Sequence, residues 1–157
     1  MYRVSFIILL SFSFVGCTRP QKTDLSNLPI EQTIESQIGG HPIKVREFTI
    51  GSGESAKKGD FLKVHFVAKS QTDNQILYSS YKTNIPYSFK IGAGDVIPAW
   101  DQGLIGVRVG TKRRLIASSG LAYQDLGVMG VIPPNQTLVF DIEVLAVNDL
   151  PIDEKKL

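Results

Sequence analysis

Short segments of alternating apolar and polar residues, separated by turn residues, constrain the fold of this chain more than any other feature. In the clearest of them the even-numbered positions from 138 to 144 are apolar, while Asp141 and Glu143 lie between them. This period of two is typical of a half-buried β-strand. Similar short segments occur at 45–50, 61–68, 76–78, 87–91 and 112–117.

One segment breaks this strand pattern. Pro98 is followed by Ala-Trp-Asp-Gln-Gly-Leu-Ile, which predicts a brief helix, because proline is well accommodated in the first helical turn. Several short strands and a single short helix predict an α+β fold, in which a curled antiparallel β-sheet wraps around one short α-helix.

The first 16 residues predict a cleaved export signal. Arg3 precedes an apolar run from Val4 to Val15, and the small residue Gly16 stands just before Cys17. A run of about 12 residues makes a helix of about 18 Å, too short for a hydrocarbon core of about 30 Å. Residues 14–17, Phe-Val-Gly-Cys, resemble the lipobox of bacterial lipoproteins, although Phe14 stands where leucine is most common. The resemblance implies lipidation at Cys17 and anchoring to a membrane of the bacterial cell envelope, on its periplasmic or surface-facing side; the alternative is a buried N-terminal helix with an incidental cysteine.

The remaining chain divides into three parts. Residues 17–42 are polar and punctuated by prolines and by Gly39-Gly40, and they predict a flexible tether after the lipidated cysteine. Ile30, Ile34 and Ile38 are four residues apart, which allows one weak helix there. Residues 43–148 form the predicted domain, and 149–157 a solvated tail.

Composition and motifs argue against several classes of function. The net charge of +2 gives no electrostatic reason to expect nucleic-acid binding. The single cysteine cannot form an internal disulfide, and His41 and His65 have no partners at metal-ligand spacing, so no metal site is expected. The segment 51–60 lacks phosphate-loop spacing, and Ser118-Ser119-Gly120 lacks the pattern around a hydrolase nucleophile. Lys112-Arg113-Arg114 alternates between faces of a strand, so these cations do not form one anion site.

Several separated blocks resemble the FKBP family of peptidyl-prolyl isomerases. They are DVIPAWDQGL at 95–104, LAY at 121–123, VIPPNQTLVFDIEVL at 131–145 and VHFVA at 64–68, in the family's order and with compatible spacing. The resemblance covers about residues 43–147. It implies a half-barrel fold with a proline-binding pocket between sheet and helix, and it implies no cofactor.

The same resemblance implies which residues form that pocket. Trp100 would be its floor, and the Ile97 N–H and the Tyr123 hydroxyl would bind carbonyl groups of the substrate. The other catalytic candidates are Phe66, Tyr87, Val96, Ile132 and Phe140. The further substrate-binding candidates are Leu77, Tyr78, Phe89 and Val131. For each single aromatic residue, a purely structural role in the core is the alternative.

Four positions depart from the most active members of the family. Phe66 stands for tyrosine, Leu77 for phenylalanine, Tyr78 for aspartate and Gln124 for glycine. The function expected from the resemblance is cis-trans isomerisation of X–Pro bonds in exported proteins, with proline-containing polypeptides and macrolides of the tacrolimus or rapamycin type as ligands. The alternative is a weakly active or inactive peptide-binding or chaperone module on the cell envelope. Substitution of Trp100 or Phe140 is expected to cripple catalysis without unfolding the domain.

Overall fold

A computed structural model describes residues 33–149. The predicted export signal, Cys17, most of the predicted tether and nearly all of the predicted tail therefore lie outside the described residues. Within them the strands are β1 (Thr33–Ile38), β2 (His41–Thr49), β3 (Phe61–Ser70), β4 (Ile76–Ser79), β5 (Tyr87–Lys90), β6 (Lys112–Ala117) and β7 (Leu138–Val147). One α-helix, α1 (Pro98–Gly103), and two 3₁₀ turns, Ser80–Lys82 and Ser119–Leu121, complete the regular structure of this range.

The strands form one antiparallel sheet in the order β1-β2-β6-β7-β3-β4. β5 joins the same sheet by pairing with residues 61–64 of β3, next to β4, which pairs with residues 67–69. One edge of β3 is thus shared by two short strands, and the chain between them leaves the sheet. The predicted curled sheet with one short helix is confirmed.

α1 packs against the apolar face of the sheet. Ala99, Trp100 and Gly103 are buried, and the alternation predicted for β3 and β7 places Leu62, Val64, Phe140 and Val144 in the same core. Gly103 permits the close approach, because a Cβ there would lie 3.0 Å from Leu115 Cδ1 and 3.3 Å from Ile43 Cδ1. The helix therefore lies directly on the sheet beside the cavity described below.

The N-terminal strand β1 differs from the predicted flexible tether with one weak helix. Residues 33–38 pair antiparallel with β2, from Thr33 opposite Arg46 to Ile38 opposite His41. Gly39 and Gly40, with φ of 55° and 83°, form the tight turn between the two strands. The four-residue spacing of Ile34 and Ile38 also fits a strand, because four is a multiple of two as well as close to a helical turn. The prediction of a helix is therefore wrong for this segment.

No helix among residues 33–149 is long and apolar enough to cross a membrane.

Candidate functional site

A cavity of about 580 Å³ opens on the concave side of the domain. β3, β4, β5, β7 and α1 all contribute to its wall, together with the loop 91–97 before α1 and the loop 118–137 before β7. The lining is almost entirely apolar or aromatic, and Asp95, which is exposed, is the only charged side chain that the described residues contribute to it. An apolar concavity with few polar groups is the usual form of a small-ligand or peptide-side-chain site.

Trp100 forms the floor of the cavity. α1 begins at Pro98 directly after Val96 and Ile97, so the indole ring lies beneath the point where the loop 91–97 enters the helix. The ring is 4% exposed and is surrounded by aromatic neighbours, with centroids 4.8 Å from Phe66 and 5.6 Å from Phe140. Both contacts are edge-on, at 90° and 85°, which is a favoured arrangement of aromatic rings. Because the indole Nε1 has no hydrogen-bond partner in the described part of the chain, packing alone holds the ring.

Three aromatic side chains line one wall. Phe66 points inward from β3, and Tyr78 and Tyr87 flank it because they pair opposite Ala68 and Val64. Tyr78 stacks on Phe66 at 5.1 Å, and Tyr87 meets Phe66 edge-on at 6.2 Å. The shared edge of β3 thus places two tyrosines on either side of one phenylalanine.

The opposite side of the cavity is built by the loop 118–137. Val128 and Ile132 exchange two backbone hydrogen bonds of 2.8 Å, which close a tight loop and aim Val131 and Ile132 at the cavity. Gly127 is needed at its base: φ is 61°, and a Cβ would lie 2.3 Å from the Ile132 carbonyl oxygen. Gln124, also in this loop, adopts φ of 52°, a conformation that favours glycine.

Two hydrogen-bond donors at the cavity lack partners among the described residues. The Ile97 N–H has no acceptor there, whereas its carbonyl accepts from the N–H groups of Trp100 and Asp101. Tyr123 lies on the cavity wall, and burial, with a smaller contribution from nearby Tyr87, raises the pKa of its hydroxyl. A neutral hydroxyl and a free N–H can both donate to carbonyl oxygens of a peptide.

A carboxylate fixes the loop that carries the Ile97 N–H. Asp101 Oδ1 accepts a hydrogen bond from the Gly92 N–H at 2.8 Å, and Oδ2 accepts one from the Gly94 N–H at 2.9 Å. The Asp101 side chain on α1 therefore fixes the start of the loop 91–97. The position of Val96 and Ile97 at the cavity follows from this anchoring.

The outer face of the sheet carries charged pairs. Asp141 accepts from Arg114 and Lys69 on this face. Arg113 lies on the opposite face of β6, where it contacts Glu47 and the Gly103 carbonyl of α1, so the cations of 112–114 are distributed among separate carboxylates. His65 is buried there: its Nδ1 lies 2.9 Å from Ser80 Oγ, and its ring stacks on Tyr81. No group of three histidine, cysteine or acidic side chains suited to a metal ion occurs among residues 33–149.

The cavity lies within a region that matches a known family. A family model described as FKBP-type peptidyl-prolyl cis-trans isomerase matches residues 52–145. The chain belongs to this family. The matched range contains α1, β3 to β6, residues 138–145 of β7 and every residue that lines the cavity.

Individual relatives agree with this assignment. The chain is 48% identical over 101 residues to the peptidyl-prolyl cis-trans isomerase FKBP15-1 of Arabidopsis thaliana, covering 64% of this chain and 65% of that protein. It is 37% identical over 132 residues to the FK506-binding protein 4 of Neurospora crassa, covering 84% of this chain but 27% of that protein. The crystal structure of AtFKBP13 superposes with a TM-score of 0.62 at 35% identity, covering 66% of this chain and 91% of that chain. The chain thus spans less than two thirds of the length of both curated relatives.

The FKBP domain brings nearly all of the predicted site residues to one cavity. Every catalytic and substrate-binding candidate lines it except Phe89, and the predicted lipidation site Cys17 lies outside the described residues. Phe89 is 5% exposed and lies behind the wall, stacked on Tyr87 at 6.0 Å and tilted against Trp100 at 5.4 Å. It shares a face of β5 with Tyr87 but lies one step further from the mouth, so it supports the wall without forming its surface. The roles assigned to the lining residues remain predictions.

The structure also adds wall residues that the sequence did not indicate. Ala68 follows Phe66 on the inward face of β3, and its position could have been found from the strand alternation. Asp95, Pro98 and Ala122 adjoin predicted site residues in sequence. Val128 reaches the cavity only because of the tight loop closed by Ile132, and no simple pattern signals that conformation.

Proposed function

We propose that this FKBP domain catalyses the cis-trans isomerisation of X–Pro peptide bonds. The observation that carries the proposal is the apolar cavity of about 580 Å³ floored by Trp100, with donors at Ile97 and Tyr123 that have no partner among residues 33–149. A proline ring is compact and apolar, and it fits a dry aromatic pocket.

Such a site can accelerate rotation without a nucleophile. The barrier to rotation is about 18–20 kcal/mol, because amide resonance must be broken. The twisted amide has lost much of its charge separation, so an apolar pocket disfavours the planar amide more than the twisted one. A thousandfold acceleration requires about 4 kcal/mol of differential binding. Donors at Ile97 and Tyr123 would hold the flanking carbonyls while the bond turns.

The experiment is to follow cis-to-trans isomerisation of a panel of X–Pro peptides with the purified full chain. We expect acceleration proportional to protein concentration and suppression by substitution in the cavity. A folded protein that leaves the uncatalysed rate unchanged for every peptide would refute the isomerase function.

A second candidate is a peptide-binding or chaperone module with little turnover. Leu77 and Tyr78 on the cavity wall favour it, because they replace the phenylalanine and aspartate found in the most active members of the family. Peptide binding detected through the fluorescence of Trp100, without acceleration, would select this function over the first.

Macrolides of the tacrolimus or rapamycin type are proposed as further ligands of the same cavity. The name of the Neurospora relative describes it as an FK506-binding protein. Competition between such a macrolide and a proline peptide for this protein tests the proposal.

We further propose that the protein is exported and lipid-anchored at Cys17 on a bacterial cell envelope, where its clients would be exported proteins. The support is the sequence of residues 1–17 alone, since the relatives reported above come from a plant and a fungus. Acyl chains gain about 0.8 kcal/mol per buried methylene, so a multiply acylated cysteine would hold the protein at a membrane. In a bacterial expression host, replacement of Cys17 by serine should move the protein out of the membrane fraction; equal membrane association of both forms would contradict the anchor.

A further inference from the structure

We propose that the cavity favours proline segments in which a lysine or arginine adjoins the proline. The inference rests on the proposed proline-binding function of this cavity and names its substrate class. Two independent observations carry it: an exposed run of aromatic rings along one wall, and an exposed carboxylate, Asp95, on the cavity lining.

The aromatic run extends outward from the floor. Trp100 contacts Phe66 and Tyr87, whereas Tyr78 contacts Phe66 on the side away from Tyr87. Tyr78 and Tyr87 are 49% and 45% exposed, while Trp100 is 4% exposed. A proline on the floor would therefore place its neighbour's side chain along the exposed rings.

Exposed aromatic faces attract cations. The negative face of a tyrosine or phenylalanine ring binds an ammonium or guanidinium group within about 6 Å of the centroid. The planar guanidinium of arginine also stacks on such rings. We therefore expect arginine to bind to them more strongly than lysine. The domain already uses this interaction elsewhere, since the Arg114 guanidinium lies 5.2 Å from the centroid of the Phe48 ring.

The one charged side chain that the described residues contribute to the cavity lining has the matching sign. Asp95 is exposed and lines the cavity. The loops 91–97 and 118–137, which contribute to the wall, contain Asp95 and Asp125 and no lysine or arginine, and only Asp95 lines the cavity. The segment 76–89, which carries the wall residues of β4 and β5, contains one cation, Lys82, and it does not line the cavity. A cationic side chain in the substrate would meet opposite charge here, and a glutamate would meet like charge.

The decisive comparison separates charge from size. Peptides containing one proline would carry arginine, its neutral isostere citrulline, leucine or glutamate, either just before or just after the proline. With the full chain at low salt, kcat/KM for arginine should exceed that for citrulline by about three- to tenfold at one of the two positions. The preference should shrink as salt is raised, because the mouth is solvent-exposed.

Variants locate the preference on the protein. Tyr78→Leu and Asp95→Asn should each lower the arginine-to-citrulline ratio. Asp73→Asn changes the net charge equally in the exposed turn between β3 and β4, away from the cavity, and should leave the ratio unchanged. A reduction by Asp73→Asn equal to that by Asp95→Asn would show a nonspecific charge effect and overturn the proposal.

The outcome is distinguishable from failure of the proposed function. If leucine peptides are isomerised but arginine and citrulline are handled equally at both positions, this inference is wrong and the isomerase function stands. If no peptide is turned over, the ratio of dissociation constants measured by Trp100 fluorescence decides the same question. If no peptide is bound either, the proposed function fails and the inference fails with it.

Discussion

At the scale of single residues, two phenylalanines in contact with Trp100 separate cavity surface from core. Phe140 lines the cavity, whereas Phe89 lies behind it, yet they are 3% and 5% exposed and contact the indole at 5.6 and 5.4 Å. Truncating a buried phenylalanine to alanine typically costs about 3–5 kcal/mol, enough to confuse unfolding with loss of activity. Leucine keeps most of the apolar volume and is the better probe.

We predict that Phe140→Leu lowers kcat/KM by about tenfold or more, which corresponds to about 1.4 kcal/mol of transition-state stabilisation. Phe89→Leu should cost a similar amount of stability with a smaller loss of activity, because its ring does not reach the cavity surface. Peptide isomerisation and urea denaturation of both variants test this. Equal losses of activity would show that kcat/KM depends on the ring packing around Trp100 and not on the cavity surface itself.

Ser80 is a second residue whose effect on the site can be isolated. Its hydroxyl is fully buried, accepts the Phe66 N–H at 2.9 Å and lies 2.9 Å from His65 Nδ1. It thus fixes the backbone of a cavity residue from the 3₁₀ turn after β4. Removing the hydroxyl leaves buried polar groups unpaired, at a cost of about 1–3 kcal/mol.

We therefore expect Ser80→Ala to reduce both the free energy of unfolding and, severalfold, kcat/KM. The neighbouring Ser79→Ala is the matched control, because Ser79 makes no side-chain cap hydrogen bond to that turn. Reduced stability with unchanged kcat/KM would mean that Ser80 has a structural role only and does not position Phe66 for catalysis.

At the scale of secondary structure elements, ion pairs on the outer face join the central strands. Asp141 on β7 accepts from Arg114 on β6 at 2.6 Å and from Lys69 on β3 at 2.8 Å. Burial alone would raise the pKa of the Asp141 carboxyl, but the hydrogen bonds from Arg114 and Lys69 outweigh it and lower the pKa below its usual value. Glu143 behaves similarly, since its hydrogen bond from the Tyr81 hydroxyl lowers the pKa of its carboxyl.

The lowered pKa of the Asp141 carboxyl determines the direction in which the free energy of unfolding changes with pH. A carboxyl whose pKa is depressed by folding contributes stability that is fully present above its unfolded pKa, near 3.8, and is lost as pH falls through the folded value. Asp141→Asn should therefore reduce the free energy of unfolding at pH 7, by about 1–3 kcal/mol, and the difference from wild type should shrink below about pH 4. Urea denaturation across pH 2–7 measures it.

Glu35→Gln provides the control for this prediction. Its carboxylate pairs with Lys44 at the exposed edge of the sheet, where an ion pair contributes about 0–1 kcal/mol. A pH-independent difference between Asp141→Asn and wild type would contradict the linkage of Asp141 ionisation to folding.

The elements also show what sequence could and could not predict. β3 and β7 were predictable because their alternation reflects burial of one face, and α1 because Pro98 marks its start. β1 was missed because its side chains are mostly exposed, so pairing with β2 and not burial determines its conformation. The signal that could have found it is Gly39-Gly40, which favours a two-residue hairpin turn between extended segments.

The candidate site likewise contains residues that the sequence could predict and residues that it could not. The wall residues on strands and at the start of α1 were indicated by blocks of sequence, since regular elements fix where a side chain points. Val128 was not, because its place depends on the loop closed by Val128 and Ile132 above Gly127. The family resemblance also implied Phe89 as a cavity residue, but Phe89 lies behind the wall, and the depth of a side chain along a curved sheet cannot be determined from a period of two.

At the scale of the whole molecule, β1 determines where the folded domain begins. A flexible spacer was predicted to reach residue 42, but Thr33–Ile38 pair with β2 and belong to the folded domain. β1 lies at the end of the strand order opposite β4, and none of its residues lines the cavity. We therefore expect β1 to contribute to the stability of the domain and not to its activity.

Deleting residues 1–40 should lower the free energy of unfolding by about 1–2 kcal/mol, because Ile38 loses its partial burial and the cross-strand pairs with β2 are removed. kcat/KM should stay unchanged at temperatures where the shortened domain is folded. A deletion of residues 1–32 is the control, since it retains β1 and should preserve the stability of the full chain. Thermal denaturation and peptide isomerisation of both forms would decide the point. Loss of activity in a folded protein lacking β1 would contradict a purely stabilising role. It would show that the N-terminal hairpin affects the cavity through β2 or the loop 118–137.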